Sequence, residues 1–182
     1  MAAAAVVGLV AGVLSARDPR VATAALSTTG VILTIPSFAL FGLLTILLGI
    51  GNTPVELGLA LYALLPIVRN TRAGLGGVDP AVVEAARGMG MLPRQVLLRV
   101  ELPLALPVIV AGLRQATVMV VAIATVGAAV GANDLGQPLL EGIRGSDRDA
   151  ILAGALLVGA LGVGADALLA TAERGLSRGR TA

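Results

Sequence analysis

Charged side chains are scarce in this chain, and their types exclude most catalytic chemistry. Only 13% of the 182 residues are charged and 57% are hydrophobic, whereas average soluble domains carry about a quarter charged residues. Histidine and cysteine are absent, which excludes thiol nucleophiles, disulfides and the usual zinc ligands. Carboxylates and guanidinium groups remain, since every basic residue is an arginine. We therefore expect no metal or other cofactor, and no nucleic-acid partner, because no basic stripe alternates with aromatic residues.

The longest charged and soluble-looking stretch covers residues 79–103. Asp79 is a good N-cap and Pro80 a good first helical residue, so a helix is predicted to start there. The Gly88-Met89-Gly90 segment should break it, and a second short helix should run over residues 93–101 until Pro103 ends it. Two short helices joined at a glycine elbow, between membrane segments, form a shape for docking onto a partner outside the bilayer.

The same stretch carries a family resemblance. Its signature residues are an acid with two alanines, a glycine and a Leu-Pro pair in a fixed spacing, namely Glu84, Ala85, Ala86, Gly90, Leu102 and Pro103. Further segments that carry the resemblance are TIPSFALFGLL at 34–44, LYALLPIVRNT at 61–71, VEAARGMGM at 83–91 and VELPLALPVIVAGLR at 100–114. The chain resembles the EAA-motif permease subunits of binding-protein-dependent ABC importers, and most closely their glycine betaine/carnitine/choline (osmoprotectant) branch.

The resemblance implies an all-α, type I ABC importer permease fold over residues 1–182 as a single domain, with 79–103 as its coupling loop. It implies ABC ATPase subunits docked on that loop, an extracytoplasmic solute-binding protein and a second permease chain, most simply in a homodimer. The chain lacks a Gly-x-x-x-x-Gly-Lys-Ser/Thr phosphate loop, so ATP hydrolysis would lie on a partner and this chain would be no enzyme. The plainer interpretation of Glu84 is an ion pair with Arg87 on a solvated helix face.

Three residues are candidates for a solute pathway. Pro36 and Ser37 interrupt the apolar run 26–50 and predict either an ordinary packed kink or a break that lines the pathway. Asp166 lies inside the last apolar run, where an acid is a functional candidate by default. Its position near the inner boundary favours a structural role, satisfied by helix neighbours, water or an arginine from the cytoplasmic rim. Arg114 is expected to extend toward the cytoplasmic membrane surface.

About five membrane-spanning helices are expected from the apolar runs, which cover residues 2–14, 26–50, 53–68, 104–130 and 150–170. The first run is shorter than a full span and makes a poor signal peptide. It is interpreted as the remainder of a first membrane helix, with the start of the chain placed too late. The Gly8-x-x-x-Gly12 spacing within it would permit another helix to approach closely.

Polar segments between the runs predict the helix ends. A polar loop is expected at residues 17–20, and an outer loop at 133–149 that contains a short helix over 138–144. Two capping boxes are predicted, one at Thr53–Glu56 and one at Ser146–Asp149, each opening a membrane helix. A glycine-rich link over 74–77 should join the third span to the coupling loop.

The distribution of arginines predicts the orientation. With these spans, ten arginines lie on the side of the coupling loop and the C-terminus, and two, Arg144 and Arg148, lie on the other side. The positive-inside rule places the arginine-rich side in the cytoplasm of a multi-pass protein of the cell membrane, in contact with its lipids.

Other functions remain open at this stage. The same signature serves importers of amino acids such as methionine, of taurine and of phosphonate, so the solute rests on the resemblance alone. A membrane-embedded enzyme would need paired carboxylates or metal ligands, and Asp166 has no obvious carboxylate partner in the sequence. A structural membrane anchor would explain a docking element but not the broken second span.

Overall fold

The computed structural model describes the backbone of residues 1–178, with the side chains of all of these except 172 and 175–178. Within this part of the chain all regular structure is helical. The elements are α1 (Ala2–Arg17), α2 (Pro19–Thr34), α3 (Ser37–Leu48), α4 (Asn52–Gly76), α5 (Pro80–Gly88), α6 (Pro93–Val96), a π-helical turn (Leu97–Glu101), α7 (Leu102–Ala124), a 3₁₀ turn (Thr125–Val130), α8 (Gly136–Gly145) and α9 (Arg148–Arg178). The predicted all-α class is confirmed.

Helix α4 lies at the centre of the bundle, between α1 and α7. The glycines of α1 permit a close parallel approach, since Gly8 faces Ile67 and Gly12 faces Thr71. A Cβ atom at Gly12 would lie only 2.4 Å from the Thr71 Cβ. Close backbone approach through small residues is the usual basis of helix association in membranes. The Gly8-x-x-x-Gly12 spacing therefore permits the close helix approach that it predicted.

A bend of 98° separates α2 from α3, so the expected single run over 26–50 is two helices. Pro36 removes a backbone donor at the bend. The Tyr62 hydroxyl of α4 donates a hydrogen bond of 2.7 Å to the carbonyl of Ile35, which satisfies an acceptor at the break. The buried Phe41 ring packs edge-on to Tyr62, with 6.4 Å between centroids. The segment is therefore a break between two helices that packs on α4, and whether it also lines a pathway stays a prediction.

Two predictions about the connections after α1 and α4 are wrong in detail. The polar loop at 17–20 reduces to Asp18, because α1 ends at Arg17 and α2 begins at Pro19. The Asp18 carboxylate accepts the Arg20 N–H at 2.7 Å, so this N-cap together with the following proline restarts a helix at once. Helix α4 also continues beyond the expected end near Val68 to Gly76, and most of the predicted glycine link is helical.

Both predicted capping boxes are wrong. Helix α4 begins at Asn52 without a side-chain cap, since its N-cap residue is Gly51. The Asn52 amide oxygen accepts the Asn133 N–H at 2.8 Å. At the second site Ser146 ends α8 with a φ of 53°. The cap of α9 is instead Asp147, whose carboxylate accepts the N–H groups of Asp149 and Ala150 at 3.0 and 3.2 Å. The short helix predicted over 138–144 is confirmed as part of α8.

Two continuous helical stretches are long and apolar enough to cross a membrane, Pro93–Val130 and Arg148–Thr171. The bent pair α2 and α3 adds a third if it counts as one span, while α1 is apolar but shorter. By length and composition the described residues thus provide two or three such segments, and α4, 25 residues long, is not among them. The expected count of about five spans stays a prediction.

Candidate functional site

The coupling element, defined here as residues 79–103, begins with the predicted helix. The Asp79 carboxylate accepts the Ala81 N–H at 2.8 Å and caps α5. The helix ends in a Schellman motif, since the Met91 N–H bonds the Ala86 carbonyl at 3.2 Å and the Gly90 N–H bonds the Arg87 carbonyl at 2.9 Å. Gly90 has a φ of 83°, the left-handed conformation that glycine adopts most readily. The predicted glycine elbow therefore lies at Gly90.

The second half of the coupling element does not end at Pro103, contrary to the prediction. Residues Pro93–Val130 form one continuous helical stretch. The π-helical turn changes the hydrogen-bond register, so that the Leu102 N–H bonds the Leu97 carbonyl. Pro103 then falls in the first turn of α7, directly after this change of register. The Leu102–Pro103 pair thus continues the coupling element directly into a membrane helix.

The outer surface of α5 is apolar and open. Val82, Ala85 and Met89 recur at helical spacing and are exposed, and Met89 is 76% exposed. We call these three residues the coupling face. Ala86 is buried at 3% exposure. Glu84 is exposed and makes no ion pair among the described residues, so the plainer Glu84–Arg87 interpretation has no support here.

An ion pair ties the coupling element to α1. The Arg17 guanidinium, at the end of α1, donates to the carboxylate of Glu101, the last residue of the π-helical turn. Glu101 is only 8% exposed, whereas the Arg17 side chain reaches solvent. A buried carboxylate without this partner would be costly. Sequence analysis missed the pair because its members lie 84 residues apart. A glutamate within the apolar segment VELPL did indicate that a partner for its charge was needed.

A second ion cluster joins α7 to α9. Arg114 holds Asp166 with two parallel hydrogen bonds, of which Nη2 to Oδ2 measures 2.8 Å, and its Nη1 donates to Glu173 at 3.2 Å. The fork geometry matches the preferred bidentate pairing of arginine with carboxylates. Arg114 was expected to extend to the membrane surface. It instead pairs with two acids that α9 brings to it. The arrangement is the one that the structural interpretation of Asp166 requires.

Pro36 and Ser37 lie at the bend between α2 and α3, away from these partners. Pro36 is exposed and Ser37 is half-buried. The Pro36 carbonyl accepts the Leu40 N–H at 3.0 Å and begins the hydrogen bonding of α3. No hydrogen bond or ion pair joins either residue to the Arg114 cluster within the described part of the chain. The three pathway candidates are thus not brought together by direct contacts.

Comparison with known proteins assigns the family. A family model described as "Binding-protein-dependent transport system inner membrane component" matches residues 6–178. The chain belongs to this family. It is therefore a multi-pass membrane permease component, as the EAA signature indicated, and ATP hydrolysis in such transporters is performed by a separate subunit.

Individual relatives indicate which branch of the family the chain is similar to. The chain is 46% identical over 175 residues to the choline transport system permease protein OpuBD of Bacillus subtilis (strain 168), covering 96% of this chain and 77% of the relative. It is 43% identical over 175 residues to the glycine betaine/carnitine/choline transport system permease protein OpuCD of the same organism, covering 96% and 76%. It is 45% identical over 169 residues to the osmoprotectant import permease protein OsmW of Salmonella typhimurium (strain LT2), covering 90% and 79%.

The solved structures agree on the fold. An inward-facing structure of the MetNI methionine ABC transporter superposes with a TM-score of 0.81 at 23% identity, covering 95% of this chain and 87% of that chain. At this identity the likeness shows the fold alone. The predicted type I importer permease fold is confirmed.

The Arg17–Glu101 pair predicts a double-mutant cycle. Glu101→Gln and Arg17→Gln should each lower the free energy of unfolding of the detergent-purified protein by roughly 1–3 kcal/mol, because one partner loses its charged hydrogen bond. The double variant should cost little more than either single change. Arg20→Gln, which removes a neighbouring exposed charge without an ion pair, is the matched control and should have little effect. Additive losses in the double variant would show that the two side chains do not interact.

Asp166→Asn tests the role of the second cluster. The amide keeps the shape of the carboxylate and one of the two acceptor oxygens that Arg114 uses, and Glu173 still pairs with Arg114. We expect near-normal expression and uptake with a modest loss of stability in detergent. Glu141→Gln, which changes an exposed side chain of α8, controls for the loss of one negative charge. Normal expression with collapsed uptake of a cationic solute, while ATPase coupling survives, would contradict the structural interpretation and assign Asp166 to the pathway.

Proposed function

We propose that the chain is the transmembrane subunit of an ABC importer for a quaternary ammonium osmoprotectant such as choline, glycine betaine or carnitine. The observation that supports this solute class is the sequence identity to two permeases whose names include these solutes. It is 46% and 43%, over nearly the whole chain. The likeness to a methionine transporter is one of fold and favours no other solute.

The few aromatic side chains support a permeation path of low affinity. Quaternary ammonium groups are held tightly by cages of aromatic faces. This chain has three aromatic residues, Phe38, Phe41 and Tyr62, and two of them are buried in the bundle core. Phe38, at 58% exposure, cannot form a cage alone. Tight solute binding then belongs to a separate extracytoplasmic binding protein, and the permease offers a weak path.

The coupling element is proposed as the docking site of the ATPase subunit. Its open coupling face offers apolar contacts, and the unpaired carboxylate of Glu84 is available to a basic group of the partner. The small side chains of Ala85 and Ala86 would permit the partner to approach α5 closely. Gly90 would set the angle of the elbow, and Leu102 with Pro103 would connect the coupling element to α7. Residues 1–182 are proposed to act as one domain around this element, paired with a second permease chain, most simply an identical copy.

The orientation follows from the arginines. The ends of α1 and α4 and the start of α7 lie at one end of the bundle, together with the coupling element. Most arginines of the chain lie at this end, which we propose to be cytoplasmic. Pro36, Ser37 and Asp166 remain candidates for the pathway between the two membrane faces, and for Asp166 the structural role is favoured.

Reconstituted transport tests the proposed solute. The complete importer, with its ATPase and binding protein, should accumulate radiolabelled choline, glycine betaine or carnitine in proteoliposomes when ATP is supplied on the coupling side. Methionine is the control solute. Robust ATP-driven methionine uptake without uptake of any quaternary ammonium solute would contradict the proposal.

Gly90→Val tests the elbow. Valine is strongly disfavoured at a φ of 83°, although open space surrounds this position, so the change should distort the turn rather than create a clash. Uptake and stimulated ATP hydrolysis should fall together, with membrane insertion intact. The matched control is Gly88→Val, since Gly88 also lies in open space but ends α5 in a helical conformation. Wild-type uptake in Gly90→Val would count against docking through this elbow.

The orientation is tested with reporters. A fusion after Arg178 should behave as cytoplasmic, and an insertion near Gly142 in α8 should behave as external. A cytoplasmic signal at Gly142 or an external one after Arg178 would show that the spans have been miscounted.

A further inference from the structure

A cleft of about 690 Å³ opens between α1, α2 and α4, at the same end of the bundle as the coupling element. Its volume lies within the range of small-molecule binding sites. Its lining combines two arginines, Arg69 and Arg72, with Ser15 and with the apolar side chains of Pro19 and Leu26. None of these residues has a role in the coupling element or in the Arg114 cluster.

The two arginines of the cleft are unpaired. They lie three residues apart on α4 and therefore project from neighbouring positions of one helix face. Among the described residues neither forms an ion pair or a side-chain hydrogen bond, in contrast to Arg17 and Arg114, which both hold acids. Within the described part of the chain, the cleft therefore carries two positive charges that no carboxylate pairs with.

The Ser15 hydroxyl gives a second and independent observation. Ser15 is 3% exposed, and among the described residues its buried hydroxyl oxygen has no hydrogen-bond partner. A buried hydroxyl without a partner is unfavourable by about 1–3 kcal/mol. Because Ser15 also lines the cleft, a ligand with acceptor oxygens would satisfy this group.

The remaining wall favours an amphiphile over a simple anion. Leu26 and Pro19 of α2 give the cleft an apolar side, opposite the arginines of α4. Arg69 and Arg72 follow the apolar part of α4, so the cleft lies where a membrane helix reaches the polar boundary of the bilayer. Basic pockets between membrane helices at this level are suited to lipid headgroups.

We propose that this cleft binds the phosphate headgroup of an anionic membrane lipid. Arg69 and Arg72 pair with the phosphate oxygens, Ser15 donates a hydrogen bond to one of them, and Leu26 and Pro19 contact the glycerol and the first acyl carbons. The bound lipid bridges α1, α2 and α4 beside the coupling element. This inference does not depend on which solute the permease carries.

Thermal unfolding of the delipidated, detergent-purified full chain tests the site. Short-chain phosphatidylglycerol should raise the melting temperature of the wild type in a saturable manner, because ligand binding to the folded state stabilises it. Phosphatidylcholine of the same chain length should have a smaller effect. In Arg69→Gln/Arg72→Gln the phosphatidylglycerol shift should be lost, and in Ser15→Ala its midpoint should move several-fold higher.

Two further variants separate binding from folding and from net charge. Arg144→Gln/Arg148→Gln removes the same charge from the opposite end of the bundle and should keep the full shift. Arg69→Lys/Arg72→Lys keeps the charge and should retain most of the shift even if the glutamine variant folds poorly.

Three results would overturn the proposal. The first is an unchanged phosphatidylglycerol shift in Arg69→Gln/Arg72→Gln, which would place lipid binding elsewhere. The second is an equal shift with inorganic phosphate alone, which would identify a free-anion site. The third is a shift with glycine betaine that the glutamine variant abolishes, which would assign the cleft to the solute pathway.

Discussion

The close packing of α4 against α1 and α7 is the constraint on which the bundle depends. A bilayer offers no hydrophobic driving force between helices, so their association relies on close contact and on hydrogen bonds. Glycines supply that contact on both sides of α4, where added Cβ atoms at Gly12 and Gly112 would come within 2.4 Å of Thr71 and Asn70. Larger residues at these positions would separate the helices and displace the elements that they carry.

The coupling element inherits its position from this packing. It is attached to α4 by a short link and continues into α7 without a break, and the Arg17–Glu101 pair fixes its far end to α1. The coupling element is therefore joined to three packed helices, α1, α4 and α7. The one-residue connection at Asp18 joins α1 to α2, whose far end is held at the bend by Tyr62.

Local signals allowed the coupling element to be predicted from the sequence, whereas contacts between distant residues could not be. Asp79 with Pro80 and the glycine at position 90 act within a single turn of chain, and the structure has the helix start and the elbow there. The Arg17–Glu101 and Arg114–Asp166 pairs join residues 84 and 52 positions apart, so only the packing of the helices reveals them. The capping box at Thr53 failed because the helix starts two residues earlier, with Gly51 as its N-cap, and Asn52 bonds the distant Asn133. The π-helical turn explains why Pro103 is accommodated within a continuous helix.

The absence of cysteine from the sequence allows the central claim, docking of the ATPase subunit on the coupling face, to be measured directly. A single cysteine in place of the exposed Met89 provides a unique attachment point for a short thiol cross-linker in the assembled transporter. The account predicts a cross-linked product of this chain with the ATPase subunit, and no such product from a cysteine at Ile143, which is 57% exposed at the opposite end. Cross-linking to the ATPase from Ile143 but not from Met89 would contradict it.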